Sequence, residues 1–346
     1  MKPIKILHIT DLHYRHNGRL FYSTGKKINN GLINNGHNVL NISDRDLTSQ
    51  SKSLIDLNSK KKLLQTIKQN IINFSPDMIL MGHVDRIDYE MFYNLRSEFK
   101  STKFSQWFLD PLIKTGPDYD KNKKRLLLKY QFCDANFITT SPDEIDFINK
   151  ENSYFIPNPI DPSIDVYKNY LKNKEFDMFI AISHGQHRAV LKEFFTDKRV
   201  FLIRKLTQKI NYNIFGYDRN PIWGQNFFNE LSKCSMGLNL SRGDPIKYYS
   251  SDRIASLLGN GLLTFIHEDY CYKDFLENDE FVSFKNIADL NNKIIYFKNR
   301  PKKLRTVAKK GYLKSHKIFN NKLIAEFIVK KTMNFKFDSN INWCNV

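Results

Sequence analysis

Two carboxylates, Asp244 and Asp252, stand eight positions apart in the stretch 241–266, SRGDPIKYYSSDRIASLLGNGLLTFI. Asp244 falls in a polar loop, and Asp252 in the first turn of an expected helix. An apolar run, the Gly259-Asn260-Gly261 break and a short strand follow. Such a pair can accept hydrogen bonds from ribose and hexose hydroxyls. Arg242, Lys247 and unpaired N–H groups of a helix start can hold a diphosphate between them. Tyr248 and Tyr249 add stacking surface. A plain helix cap is the competing account, because Ser250, Ser251 and Asp252 all suit the unpaired N–H groups of a first turn.

These residues need elements to position them. Strand patterns at 4–10, 39–42, 77–81, 104–109 and 135–139 alternate with helix patterns at 24–35, 59–74, 89–99, 124–132 and 142–150. The stretch 153–165 holds Pro157, Pro159 and Pro162 and reads as an interdomain connection. A second series follows, with strands at 176–182, 200–204, 212–215, 236–240 and 262–266. Its helices fall near 187–195, 224–233, 252–258 and 270–277. Helix patterns at 286–297, 301–314 and 321–331 close the chain. The alternation predicts an α/β protein with two parallel sheets. The expected domains are 1–160 and 170–318, with 319–346 packing back across both. Ligands of open parallel sheets bind beyond the carboxyl ends of the strands. The default site is therefore a cleft between two facing sheets.

At 346 residues the chain is long enough for two cores, and 14% aromatic residues supply the apolar area. The four cysteines, Cys133, Cys234, Cys271 and Cys344, form no CxxC pair. Their scatter argues against a disulfide framework or a zinc site and fits a reducing cytoplasm. MKPIKILHITDLH does not read as a signal peptide, and no run approaches a membrane span. The net charge of +18 suggests a polyanionic partner or a basic surface set by composition. Lys-rich 121–130 suits the inner face of an anionic membrane, although it is equally an ordinary helix with a core-facing leucine side, and 298–317 adds to the positive surface. No helix-turn-helix, zinc-finger or RNA-recognition signature points to nucleic acid.

The segment around the two carboxylates resembles the C-terminal half of GT-B glycosyltransferases. It is most similar to the CgeB-like, group 1 branch with its tyrosine–serine–serine–aspartate–arginine signature, here Tyr249-Ser250-Ser251-Asp252-Arg253. Retaining members carry two glutamates with seven residues between them; the first contacts the donor sugar and the second the ribose. Here both are aspartates, and Pro245-Ile246-Lys247-Tyr248 replaces the usual glycine-rich stretch. Asn17-Gly18 and Gly25 look like the loop-to-helix entry that approaches donor phosphates, and 31–39 is similar to the family's helix end and second strand. Pro76-Asp77-Met78-Ile79 followed by His83 resembles the strand whose terminal histidine faces the donor sugar. Ile156-Pro157-Asn158-Pro159-Ile160-Asp161 resembles the interdomain element, with Pro159 in place of glycine. Leu238-Asn239-Leu240-Ser241 matches the strand before the acidic loop.

The resemblance implies two Rossmann-like domains facing across a cleft. It also implies a metal-independent, cofactor-free enzyme that moves a sugar from a nucleotide-sugar to a glycan or lipid hydroxyl with retention. Asp252 would hold ribose, Asp244 the donor sugar, and His83 would reach that sugar from the other domain. Gly18, Arg188, Lys192, Tyr249, Ser250, Ser251 and Arg253 complete the donor set, with Arg204 and Lys205 competing for the diphosphate. Asp11, His13 and Asp110 would line the acceptor side. One other resemblance stands beside it. Ile6-Leu7-His8-Ile9-Thr10-Asp11-Leu12-His13 is similar to the opening of calcineurin-like metallophosphoesterases, but the further metal ligands of that family are missing. A non-catalytic GT-B-like glycan- or membrane-binding protein is the third reading.

Overall fold

Strands buried on both faces read as short, nearly continuous apolar runs. That is how Met78–Met81 and Ala135–Ile138, buried at every position, enter the sheet. The computed structural model describes residues 2–50, 59–116, 118–182 and 198–346. In chain order its main elements begin with β1 (Lys5–Ile9), α1 (Thr24–Asn34), β2 (Asn38–Ile42), α2 (Asp44–Gln50), α3 (Lys60–Phe74) and β3 (Met78–Met81). Then come α4 (Tyr89–Glu98), β4 (Lys103–Phe108), α5 (Tyr119–Tyr130), β5 (Ala135–Ile138), β6 (Ser153–Phe155) and β7 (Phe176–Ala181). The rest are α6 (Lys198–Arg204), β8 (Tyr212–Phe215), α7 (Gln225–Ser232), β9 (Cys234–Leu238), α8 (Asp252–Gly259), β10 (Leu263–His267) and β11 (Val282–Phe284). Three helices close the chain, α9 (Ile287–Lys298), α10 (Pro301–Ile318) and α11 (Asn321–Thr332).

The chain divides into two units. The first comprises Met1–Leu112, Asp118–Pro159 and Asn321–Val346. Its parallel sheet runs β2-β1-β3-β4-β5-β6. One face packs Leu7, Ile9, Ile79 and Met81 against Leu63, Ile67 and Phe92 of the flanking helices. The second unit comprises Ile113–Pro117 and Ile160–Asn320, with a parallel sheet β11-β10-β9-β7-β8. Met178, Ile180, Met236, Leu238, Leu263 and Phe265 form the centre of its core. Among the described residues no helix is long and apolar enough to cross a membrane.

The last helix belongs to the first unit, where α11 lies along α1. Gly31 permits that approach, because a Cβ there would stand 2.1 Å from the Asn321 carbonyl oxygen. Gly31→Val should therefore lower the urea midpoint of the chain. Overpacking against backbone costs about 1–3 kcal/mol or more, and an unchanged midpoint would mean that the two helices can part cheaply.

Several elements differ from the sequence expectation. Residues 200–204 are not a strand but part of helix α6, which buries Val200 and Ile203 one turn apart. The stretch 142–150 is not a helix. It holds short 3-10 turns at Pro142–Glu144 and Lys150–Asn152, because the Tyr130 hydroxyl bonds both the N–H and the C=O of Asn149. The stretch 270–277 forms two 3-10 turns, Glu268–Tyr270 and Tyr272–Asp274, broken by Cys271 in the left-handed region at φ 55°. Strands β6 and β11 and helix α2 were not foreseen; β6 opens the stretch read as a connection. The helix expected near 187–195 lies outside the described residues.

Candidate functional site

In the second unit the candidate residues gather where β9 and β7 end. β9 stops at Leu238, and the Asn239 N–H continues the ladder to the Phe265 carbonyl at 3.0 Å. The chain then loops through 241–250 and enters α8. Ser251 is the N-cap: its Oγ accepts from the Ile254 N–H at 3.4 Å and donates to Asn239 Oδ1 at 2.9 Å. The hydroxyl of Ser251 thus takes the capping work, as the plain structural account anticipates. Asp252 is left exposed at the first helical position, beside the positive end of the helix.

Tyr249 and Ser250 are buried behind this turn. Tyr248 adopts a left-handed φ of 60°. Its N–H bonds the Tyr270 carbonyl at 3.0 Å and its hydroxyl donates to Asp274 at 2.6 Å. The aromatic pair therefore frames the loop. Arg253 turns inward. Its Nε donates to the Ala181 carbonyl at 3.0 Å, and Nη1 donates to the Leu240 carbonyl at 2.6 Å and to Asn239 Oδ1 at 3.4 Å. These bonds tie the ends of β7 and β9 to the first turn of α8, a bracing role absent from the sequence reading.

Asp244 pairs with Lys198 Nζ at 2.6 Å, and its N–H bonds Thr115 Oγ1 at 3.4 Å. The Lys198 and Thr115 contacts hold its carboxyl below the usual range. The pair is open, with side chains 49% and 68% exposed, so it contributes about 0–1 kcal/mol and a ligand can displace it. Lys198 was not singled out from sequence; only the return of α6 to the loop brings it there. Arg188 and Lys192 lie outside the described residues. Arg204 ends α6 and bonds the Tyr217 hydroxyl at 3.3 Å, and Lys205 stacks over Phe201 at 4.0 Å.

In the first unit, residues following β1 to β4 meet in one alternating charge network. Arg15 grips both oxygens of Asp11, at 2.6 and 2.7 Å. His13 Nδ1 and Arg45 Nη1 stand 3.2 Å from the same carboxylate. Burial pushes the Asp11 carboxyl up, but Arg15, His13 and Arg45 together hold it below its ordinary value. Arg45 also pairs with Asp85, and Asp85 pairs with Arg125 at 2.7 Å. Arg125 reaches on to Asp110, and to His83 Nδ1 at 3.3 Å. Asp44, at the start of α2, accepts from the Asp85 and Arg86 N–H groups at 2.9 and 3.0 Å; burial pushes its carboxyl up to about 6. So Asp11, His13, His83 and Asp110 come together, while Gly18 stands apart in an exposed turn at φ 75°. Arg15, Arg45, Asp85 and Arg125 were missed.

Gly82 shapes this edge. A Cβ there would lie 2.2 Å from the Trp107 ring, which stacks on His83 with centroids 5.9 Å apart and planes 16° from parallel. The metallophosphoesterase reading needs Asp11 as a metal ligand. Its two oxygens are instead engaged by one guanidinium, and no group of three or more His, Cys, Asp or Glu among the described residues is arranged to hold a metal.

Residues 193–330 match the family described as Glycosyl transferase-like. No curated protein sequence matches the chain. Solved structures match over nearly its whole length at low identity. The sucrose-phosphate synthase of Thermosynechococcus elongatus is 10% identical with a TM-score of 0.66, covering 96% of this chain and 98% of its own. A glycosyltransferase from Rickettsia africae ESF-5 is 10% identical with a TM-score of 0.61, covering 96% and 99%. HepE of Anabaena, solved with UDP and glucose, is 11% identical with a TM-score of 0.58, covering 96% and 100%. The two parallel-sheet α/β units of this chain thus have the GT-B fold of these solved glycosyltransferases, and its residues 193–330 match a glycosyl transferase-like family.

Proposed function

We propose that this protein transfers a sugar from a nucleotide-sugar donor to a hydroxyl of a glycan or lipid acceptor, with retention and without a required metal. The observation that carries the donor assignment is the placement of Asp252. It is an exposed carboxylate at the first position of α8, beyond the ends of β9 and β7 and inside the glycosyl transferase-like domain. Its two oxygens suit the vicinal hydroxyls of a ribose. The α8 N-terminus, Lys198, and Arg188 and Lys192 by sequence supply positive charge for a diphosphate. Asp244 is assigned to the donor sugar, since the surface pair that holds its carboxylate to Lys198 is weak enough for a ligand to displace.

On the first unit, His83 is assigned to the sugar, and Asp11, His13 and Asp110 to the acceptor side. Retention is favoured by resemblance, because Asp244 and Asp252 keep the spacing of the two acids of retaining members. In that mechanism the acceptor hydroxyl attacks as the bond from the sugar C1 to the diphosphate breaks, and the acceptor proton passes to the leaving phosphate oxygen. The protein positions the groups and stabilises charge. The excess of basic residues, together with Lys121, Lys124 and Leu127 on the outer side of α5, suits work at the cytoplasmic face of an anionic membrane.

A thermal-shift panel tests this reading. UDP and UDP-glucose come first because HepE was solved with UDP-glucose. A matching nucleotide-sugar should raise the midpoint by mass action, about 2.7 kcal/mol of stabilisation at a hundredfold excess over Kd. Slow donor hydrolysis should persist in chelator. No shift with any nucleoside diphosphate would leave a non-catalytic shell, and hydrolysis abolished by chelator would remove metal independence.

A further inference from the structure

The chemistry of His83 is set by the groups around its ring, all on the first unit. Arg125 Nη2 lies 3.3 Å from His83 Nδ1. A guanidinium carries only donors and stays protonated, so this contact is a hydrogen bond only when Nδ1 presents its lone pair. The proton of the neutral ring then sits on Nε2. Nε2 stands 3.5 Å from Asp110 Oδ2, an acceptor that suits an N–H and not a lone pair.

Arg125 is itself fixed. Its Nε and Nη2 donate to Asp85 Oδ1 at 2.9 and 2.7 Å, and Nη1 pairs with Asp110. The imidazole cannot easily turn over, because Trp107 stacks on it and Phe108 lies 5.9 Å away at 38°. Burial pushes the imidazolium pKa down to about 4; Asp110 and Asp85 oppose that shift and the Arg125 cation reinforces it, so the ring is neutral at pH 7.

We propose that Arg125 is a positioning residue that locks His83 as the neutral Nε2–H tautomer, so that His83 serves sugar transfer as a hydrogen-bond donor and not as a base. The inference rests on the assignment of His83 to the sugar under the proposed function. The acceptor proton goes to the departing diphosphate, and His83 exchanges none. Its Nε2–H, which has no hydrogen-bond partner among the described residues, is given to a sugar or acceptor oxygen.

Nitrogen-15 NMR of the histidine-labelled full chain at pH 7 reads the tautomer without any substrate, with His83 assigned from the His83→Gln variant. A pyridine-type Nδ1 and a pyrrole-type Nε2 are expected. In Arg125→Met the two tautomers should mix. In that variant kcat should fall by about 10- to 100-fold, in line with the cost of misplacing a group at a reacting centre, while donor KM stays within about twofold. Arg125→Lys, which keeps one donor toward Nδ1, should restore the Nε2–H form and part of kcat. If Arg125→Met does not fold, the wild-type and Arg125→Lys spectra still decide. An Nδ1–H ring or an imidazolium in the wild type overturns the inference, as does an Arg125→Met spectrum identical to wild type. Because the spectra need no substrate, failure to transfer any sugar counts against the proposed function alone.

Discussion

Asp252→Ala should weaken nucleotide-sugar binding by about 10- to 150-fold while leaving the unfolding midpoint almost where it is. The argument divides the two jobs that a residue at a helix start can do. Capping belongs to Ser251, whose Oγ meets the Ile254 N–H. Removing Asp252 therefore costs folding no more than a favourable charge at the helix dipole, about 0.3–1 kcal/mol. A hydrogen bond from a ligand hydroxyl to a carboxylate is worth about 1.5–3 kcal/mol, and the fold-change follows from that figure. Isothermal titration with UDP and UDP-glucose, paired with a urea melt, measures both halves. Full donor affinity in Asp252→Ala would remove the ribose assignment. A large loss of stability without loss of affinity would make the carboxylate a structural group.

Most of the fold was legible because parallel strands buried on both faces leave an unmistakable apolar signature. β1, β3 and β5 fall within a residue or so of the expected runs. The same signature misleads at 200–204. A short run such as Val200-Phe201-Leu202-Ile203 fits a buried helix as well as a strand. The chain makes it a helix, turning Val200 and Ile203 inward and leaving Phe201 56% exposed. At 270–277 the break comes from Cys271 in a left-handed conformation, and cysteine carries none of the turn chemistry that marks glycine or asparagine.

The candidate sites divide in a similar way. Asp252, Asp244, His83, Asp11 and Asp110 could be found because each follows a strand, where ligands of parallel sheets bind. Arg45, Arg125 and Lys198 could not, since they come from helices distant in sequence from the carboxylates they meet. Local pattern says which residues stand at a sheet's edge. The cation that faces each one is fixed by the packing of α2, α5 and α6.

Arg253→Met is expected to show the reverse of Asp252→Ala, with stability lost first and affinity only in consequence. Methionine fills much of the volume of the arginine stem but takes its donors from the Ala181 and Leu240 carbonyls, while Asn239 Oδ1 keeps the Ser251 hydroxyl. A buried acceptor left unsatisfied costs about 1–3 kcal/mol. Allowing for partial solvation at this partly buried position, the loss should be roughly 2–5 kcal/mol. It should be visible in urea or thermal denaturation of the ligand-free protein. Arg253→Lys retains one donor without the fork and should fall between the two. The sign of the comparison separates a brace from a ligand-binding group, because a brace acts before any ligand is present. An Arg253→Met protein with wild-type stability and lost UDP affinity would return Arg253 to the donor-binding set. A destabilised protein whose affinity recovers when saturating ligand restores the fold would place it behind Asp252, holding the strand ends on which that carboxylate depends.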